Sequence, residues 1–498
     1  MTGIIAVDIG TTSMRAILYN SEGRIEHIHQ QENAPEFYAD GRVEQAPEDW
    51  AGILAASLKA CADDAATKGL GVACVSVTAQ RSSVIPVDAD GNPLHPAIMW
   101  QDRRTAGMAQ DMESFNPLVY GKNGLKISPV FSAIKMKWFR EERPDIWKKT
   151  HKMIGIQDWV LYLLSGRFVT DHTFGSRTNL FDIGKRDWDA DLLALFDVPL
   201  SMLCDLVPPG SVVGGLKPTM AAATGLPAGL PIVSAGGDQQ CAALGLGLFS
   251  GERAMSNTGT GSYLIGHSDR PVFDEQMRVA CNVSAVPDAY IVEAAVLTSG
   301  TIYRWFREAF YGESESFETL NAEAAIAVPG ANGLLLLPHF KGSGAPYWDP
   351  QSRGVFYNLT LTTTRGEMVR AILEGIAVEM KGSLELIERL SGPIATVSVS
   401  GGLTRSDLFN QIQSDILDRE IQRFANNEAT SFGAWIAGSV AVGLDTSYQG
   451  AFDRVNTAGP AKTYRPDPLL RGIYDLQGQR SKALYTALCT PGLRELFQ

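Results

Sequence analysis

Apolar and polar residues alternate along this chain in short blocks that switch between strand-like and helix-like spacing. The first block, Ile4-Ile5-Ala6-Val7, runs into Asp8-Ile9-Gly10-Thr11-Thr12-Ser13, and apolar residues resume at Ala16-Ile17-Leu18. That pattern predicts two strands joined by a tight turn. Val72 to Val77 and Pro231 to Ala235 read as buried strands, and Val397 to Ser400 as a strand running into Gly401-Gly402. Ala51 to Ala65 has apolar residues at helical spacing behind Pro47-Glu48-Asp49-Trp50, a helix start. Helices are also expected over Glu367 to Leu390, over Asp407 to Leu417, and over the closing segment Asp467 to Gln498. Strands alternating with helices throughout predict an α/β architecture.

Gly251 to Gly266 repeats the opening pattern: a strand, the turn Thr258-Gly259-Thr260-Gly261, and a strand. Two such hairpins half a chain apart suggest an internal duplication, with a junction near Leu246 and domains over 1–246 and 247–498. A length of 498 residues also exceeds what one ordinary core accommodates.

Turns of glycine and hydroxyl residues expose N–H groups suited to an anionic oxygen, and an acid at the strand end can hold a hydrated magnesium ion. Asp8 with Gly10, Thr11 and Thr12 therefore reads either as nucleotide chemistry or as a plain hairpin with a polar turn. Gly236-Gly237-Asp238-Gln239-Gln240 puts an acid at the head of an apolar helix. It reads as an N-cap or as a base that takes a proton from a hydroxyl. Gly401-Gly402 is a tight turn or a place where a ligand approaches the backbone. No GxxxxGK[ST] and no GxGxxG opening a βαβ unit occurs.

The net charge of -12 argues against a nucleic-acid or anionic-membrane surface. The six cysteines form no CxxC pair and the seven histidines no HExxH, so no zinc site is expected and the thiols read as reduced and packed. Apolar runs fall short of the roughly 18 residues that a membrane span needs. The expectation is a cytoplasmic protein.

The stations Asp8-Ile9-Gly10-Thr11-Thr12, Trp100-Gln101-Asp102-Arg103-Arg104, Gly237-Asp238-Gln239-Gln240, Thr258-Gly259-Thr260-Gly261 and Gly401-Gly402 occur in an order that resembles the FGGY carbohydrate kinases. Val43 to Trp50, Gly344 to Pro350 and Asn427 to Ala434 match as well, so the resemblance covers Ile4 to about Leu444. It implies two ribonuclease-H-like domains of the actin type, with ATP and Mg2+ in the cleft and the sugar mainly on the N-terminal domain. On that resemblance Asp8 and Asp238 lie at the metal, and Gly10, Thr11, Thr12, Arg15, Gly259, Thr260, Gly401, Gly402 and Arg405 contact the nucleotide. Asp238 is the catalytic base, and Arg81, Ser82, Trp100, Gln239 and Tyr263 join it around the acceptor, although Trp100 also reads as a core aromatic.

Two departures bear on the acceptor. The glycerol-kinase pattern has a glutamate at the place of Ser82 and a tyrosine near that of Val130. The Met-His pair of xylulokinases is absent too. Losing two hydroxyl partners weakens a three-carbon fit, so a pentulose (xylulose-type) or a tetritol is expected. Glycerol, an autoinducer-2-type acceptor, or a non-catalytic actin-like ATP switch are the alternatives. Expected partners are a small sugar or polyol and a second copy in a homodimer, with no nucleic acid and no membrane.

Overall fold

The computed structural model describes residues 2–490 and Leu493. Its two large sheets are built on one plan. In the N-terminal sheet, Thr2–Ile9 pairs antiparallel with Ser13–Asn20, which pairs antiparallel with Ile25–Glu32. On the other side of Thr2–Ile9, Gly71–Ala79 and Pro231–Gly237 follow in parallel, and Ser211–Gly215 closes the edge antiparallel. In the C-terminal sheet, Arg253–Thr258 pairs antiparallel with Ser262–Ser268, and that strand with Tyr290–Val296. Thr396–Ser400 and Glu420–Arg423 follow in parallel, and Lys462–Tyr464 closes the edge antiparallel. The six senses match strand for strand, with Ala280–Val283 added at one edge of the second sheet. The duplication read from the two hairpins is thus carried by whole sheets.

Local chemistry explains the helices. Pro47–Thr67 opens with Pro47, which needs no N–H partner, and with Glu48 and Asp49 facing the positive end of the helix. The long helix Arg365–Ser391 starts in a reciprocal cap: the Thr364 hydroxyl accepts the Glu367 N–H, and the Glu367 carboxylate accepts the Thr364 N–H. It buries Val369, Ile372, Ile376, Met380 and Ile387 in the C-terminal core. The helix Asp407–Leu417 has the bounds read from the sequence. The last helix spans Arg471–Leu488, and of the expected closing segment residues 491–492 and 494–498 lie outside the described residues. Among the described residues no helix is long and apolar enough to cross a membrane.

The two halves join through a third core, which mixes Ile4, Ala6, Ile17 and Tyr19 of the first sheet with Met255, Ile265, Phe432 and Trp435 of the second half. At its centre the helix Asp238–Gly245 crosses the helix Ala429–Ala441 with almost nothing between the backbones. A Cβ at Gly245 would lie 2.0 Å from the Ala429 carbonyl oxygen, and one at Gly433 would lie 1.8 Å from that of Cys241. The second helix also rests on the N-terminal sheet: Ser76 Oγ donates to the Ala434 carbonyl at 2.6 Å, and the Tyr19 and Ser431 hydroxyls lie 2.8 Å apart. Phe432 and Trp435 stack beside them at 5.4 Å.

This crossing makes a sharp prediction. Gly433→Ala should cost about 3 kcal/mol or more, because backbone must move on both helices. Gly52→Ala, on the exposed side of Pro47–Thr67 with open space around its Cβ, should stabilise by about 0.5–1 kcal/mol. Urea unfolding of the two variants checks both signs.

Candidate active site

The strand ends and turns that face one another above the helix crossing hold most of the residues singled out in the sequence. Asp8 sits one residue before the end of Thr2–Ile9, opposite Arg15 in the hairpin register. The Gly10 N–H donates to the Ser13 carbonyl at 2.9 Å, which closes the turn. Thr11 Oγ1 donates to Gln80 at 3.1 Å and accepts the Trp100 indole N–H at 3.1 Å, so Trp100 braces the turn. Thr12 is exposed. Arg15 donates to Gln30 at 3.0 Å and to the Glu428 carboxylate at 2.7 Å, a tie from the first hairpin to the head of the helix Ala429–Ala441.

The second turn leaves Gly259 and Thr260 exposed, while their carbonyls accept the N–H groups of Gly300 at 3.0 Å and Ser299 at 2.9 Å. Gly401, at φ +96°, is pressed against the base of this turn: an added Cβ would lie 2.5 Å from the Thr258 carbonyl oxygen. Gly402 faces open space and Arg405 is exposed. The two C-terminal glycine stations, far apart in sequence, are therefore one surface.

Asp238 opens its helix directly after Gly237. Its Oδ1 accepts the Gln239 N–H at 2.7 Å and lies 3.2 Å from Arg81 Nε. Arg81 turns its other nitrogens to Gln240 at 3.1 Å and to Glu293 at 3.2 Å. Glu293 in turn accepts Arg177 at 2.8 Å and Asn282 at 2.8 Å. Ser82 is buried at φ +72° and its hydroxyl reaches the Arg177 carbonyl at 3.4 Å. The Gln239 side-chain oxygen is buried without a hydrogen-bond partner. Tyr263 projects from the C-terminal sheet, 40% exposed, into the field of Glu293 and Arg81.

Glu293, Arg177 and Glu428 did not emerge from the sequence as site residues. A signal existed for Glu293: it is the one charge in the apolar strand Tyr290–Val296, and a charge in a buried strand needs a partner. Glu428 lies in the matched run Asn427 to Ala434, which gave it no role of its own, and Arg177 stands in a polar segment where nothing marks it.

Burial pushes all three carboxylates up, and their neighbouring charges set them apart. Asp8 is pushed up to about 7, first by burial and then by the Asp238 charge, with Arg15 pulling the other way. Asp238 is also raised by burial, held in check by Arg81 and by the Gln239 N–H. Burial pushes Glu293 up as well, but Arg81 and Arg177 outweigh it and its carboxyl ends below the ordinary value. Arg177 is lowered to about 10 by burial and by neighbouring Arg81.

The donor set fits magnesium. Asp8 and Asp238 supply two carboxylates, no cluster of three or more His, Cys, Asp or Glu suited to a metal occurs among the described residues, and magnesium takes few protein ligands beside water and phosphate. Open space at Gly259 and Gly402 fits a nucleotide approaching the backbone.

The family model for the N-terminal domain of the FGGY family of carbohydrate kinases matches residues 3–245, and that for the C-terminal domain matches residues 254–442. The chain belongs to the FGGY family. It is similar to the glycerol kinase of Thermococcus kodakarensis, 34% identical over 447 residues that cover 88% of each chain. Among solved structures it is similar to the xylulose kinase of Rhodospirillum rubrum, with 26% identity, a TM-score of 0.90 and coverage of 98% and 99%. It also shares its fold with the ligand-bound xylulose kinase of Lactobacillus acidophilus, with 23% identity, a TM-score of 0.93 and both chains fully covered. The protein is thus an ATP-dependent phosphotransferase acting on a sugar or polyol, with the two-domain, actin-type α/β fold of this family.

Within this FGGY site, Glu293→Gln removes the carboxylate that two buried guanidinium groups share. Breaking such a pair costs about 3–5 kcal/mol. Because the folded Glu293 lies below 4.5, its contribution is present above pH 4.5 and is lost as the pH falls through the folded value. Urea unfolding should therefore show a large deficit in the variant at pH 7 that narrows below pH 4.5.

Proposed function

We propose that this chain transfers the γ-phosphoryl group of ATP to a hydroxyl of a four- or five-carbon acceptor, a xylulose-type pentulose ahead of a tetritol, with Asp238 as general base. The observation that carries the reading is the Arg81–Asp238 contact at the head of a buried helix, across from Asp8. A base is most effective when its proton affinity is raised towards working pH yet it stays ionised. Burial raises Asp238, and the Arg81 charge opposes that rise. Asp238 takes the proton as the acceptor oxygen bonds to phosphorus and the bond to the bridging oxygen of ADP breaks.

Bound Mg2+ would neutralise the developing phosphoryl charge, held beside Asp8 and Asp238. Gly10, Thr11, Thr12, Gly259 and Thr260 would line the phosphates, Gly401, Gly402 and Arg405 the nucleoside, and Arg15 the floor through Glu428. Arg81, Ser82, Trp100, Gln239 and Tyr263 would surround the acceptor. We divide the chain at 246/247 into acceptor-side and nucleotide-side domains.

The preference for more than three carbons rests on Ser82. It borders a cavity of about 30 Å3 lined also by the hydroxyl residues Ser83, Ser132, Thr170 and Thr178 and by Asp158, whose Oδ1 has no hydrogen-bond partner. A shorter side chain than glutamate leaves room for a longer acceptor and removes a hydroxyl partner that a three-carbon substrate would use. Glycerol is the second reading, favoured by the name of the Thermococcus relative.

ADP release from Mg-ATP across glycerol, tetritols, pentuloses, pentitols, hexuloses and the autoinducer-2 precursor tests this. Turnover should be highest with a pentulose or tetritol and fall at least ~100-fold in Asp238→Ala. Ser82→Glu should shift the kcat/KM ratio towards glycerol by about tenfold or more. Glycerol as sole efficient acceptor of the unaltered protein would refute the longer acceptor. Bound ATP with no acceptor-dependent ADP release would refute the kinase reading and favour a nucleotide-binding switch.

A further inference from the structure

A second acidic residue, outside the cleft, reaches the strand that delivers Asp238 through a chain of hydrogen bonds. Asp171 is fully buried. Its Oδ2 accepts the Ser234 hydroxyl at 2.6 Å and the Gln157 amide at 2.8 Å. Its Oδ1 accepts both the Thr173 N–H at 2.8 Å and the Thr173 hydroxyl at 2.5 Å. The Thr173 oxygen in turn accepts the Gly237 N–H at 2.8 Å. Ser234 and Gly237 both belong to Pro231–Gly237, the strand that delivers Asp238. One buried carboxylate therefore grips that strand twice, once directly and once through Thr173, with the second grip on the N–H of Gly237, the residue before Asp238.

The directions of these bonds are fixed. A peptide N–H can only donate, so the Thr173 oxygen must accept from Gly237 and spend its single proton on Asp171. The strand needs the restraint: Gly236 stands at φ +121°, a conformation that other residues rarely adopt and that glycine leaves floppy. Arg81 packs close against the Gly237 Cα, since an added Cβ there would lie 2.6 Å from its side chain, and it also contacts Asp238 itself.

The geometry points to Asp171 and Thr173 as positioning residues that aim the Asp238 carboxylate at the acceptor hydroxyl. This inference rests on Asp238 being the base. Neither residue touches the cleft, so neither is catalytic in the sense of contacting reacting atoms. Their effect on rate comes through orientation, where displacement of a group by about 1 Å costs on the order of 100-fold.

The decisive variant is Thr173→Val, which keeps the shape and the methyl group near Gly236 but removes the hydroxyl. It should lower kcat about 10- to 100-fold while KM for ATP and for the acceptor changes less than about twofold. Thr173→Ser, which restores donor and acceptor, should return kcat to within about threefold. A merely structural role predicts instead a lowered melting temperature with kcat per folded molecule unchanged, and that result overturns the proposal. So does a kcat loss that serine fails to rescue.

Should Thr173→Val not fold, Asp171→Asn serves. The Gln157 side-chain oxygen is buried and unpartnered, so that amide can flip to receive the new NH2 group. Here kcat should fall at least about threefold with KM held, and an unchanged kcat overturns the proposal. Asp238→Asn runs alongside. If it keeps full activity, the base reading fails and the positioning role with it. If it is inactive while Thr173→Val is fully active, only the positioning role fails.

Discussion

Two backbones that touch without side chains between them set the geometry of this enzyme. The contact of Gly245 with Ala429 and of Gly433 with Cys241 brings the helix led by Asp238 against the helix headed by Glu428. Each helix starts at the cleft. Asp238 opens the first, and Glu428 stands at the head of the second, where it holds Arg15 of the opening hairpin. The crossing therefore fixes, from below, how far the first glycine-threonine turn stands from Asp238. Polar ties from Ser76 and Tyr19 then hold the second helix in register with the N-terminal sheet. A core shared by both halves underlies the cleft, while Thr12, Gly259 and Thr260 in the turns above it are exposed.

On that floor, burial and countercharge sort three carboxylates into three states. Asp8 feels burial and a second acid, with Arg15 only partly compensating, and rises to about 7. Asp238 feels burial but also Arg81. Glu293, between two guanidinium groups, stays ionised. Such divergence among neighbouring groups is the pattern of a site that divides labour between holding charge and moving protons. Arg81 links the last two acids, one from each half of the chain, so the electrostatics of Asp238 depend on the C-terminal sheet as well as on its own helix.

Much of this was readable from residue order. The hairpin at Asp8, its echo at Gly259, the buried strands and the helix Asp407–Leu417 follow from apolar spacing and glycine placement, because local sterics and periodicity act within a few residues. Relations between distant segments were not readable. Nothing in the spacing of Thr258 and Gly401 says that their backbones touch, and nothing near Arg177 says that it shares Glu293 with Arg81. Asp171 lies in a short run, Val169-Thr170-Asp171, whose acid acquires meaning only when Ser234 and Thr173 are brought to it. Trp100, ambiguous as a core or pocket aromatic, is found bracing Thr11, a role between the two. Ser82, singled out in the sequence, is found buried beside a small cavity that residue order did not reveal.

A crystal structure with Mg2+, a non-hydrolysable ATP analogue and the preferred acceptor would test the account most directly. The account predicts phosphates between the Gly10–Thr12 and Gly259–Thr260 turns and an acceptor hydroxyl within about 3 Å of an Asp238 oxygen, in line with the γ-phosphorus. An acceptor held away from Asp238, or a nucleotide bound outside the two turns, would contradict it.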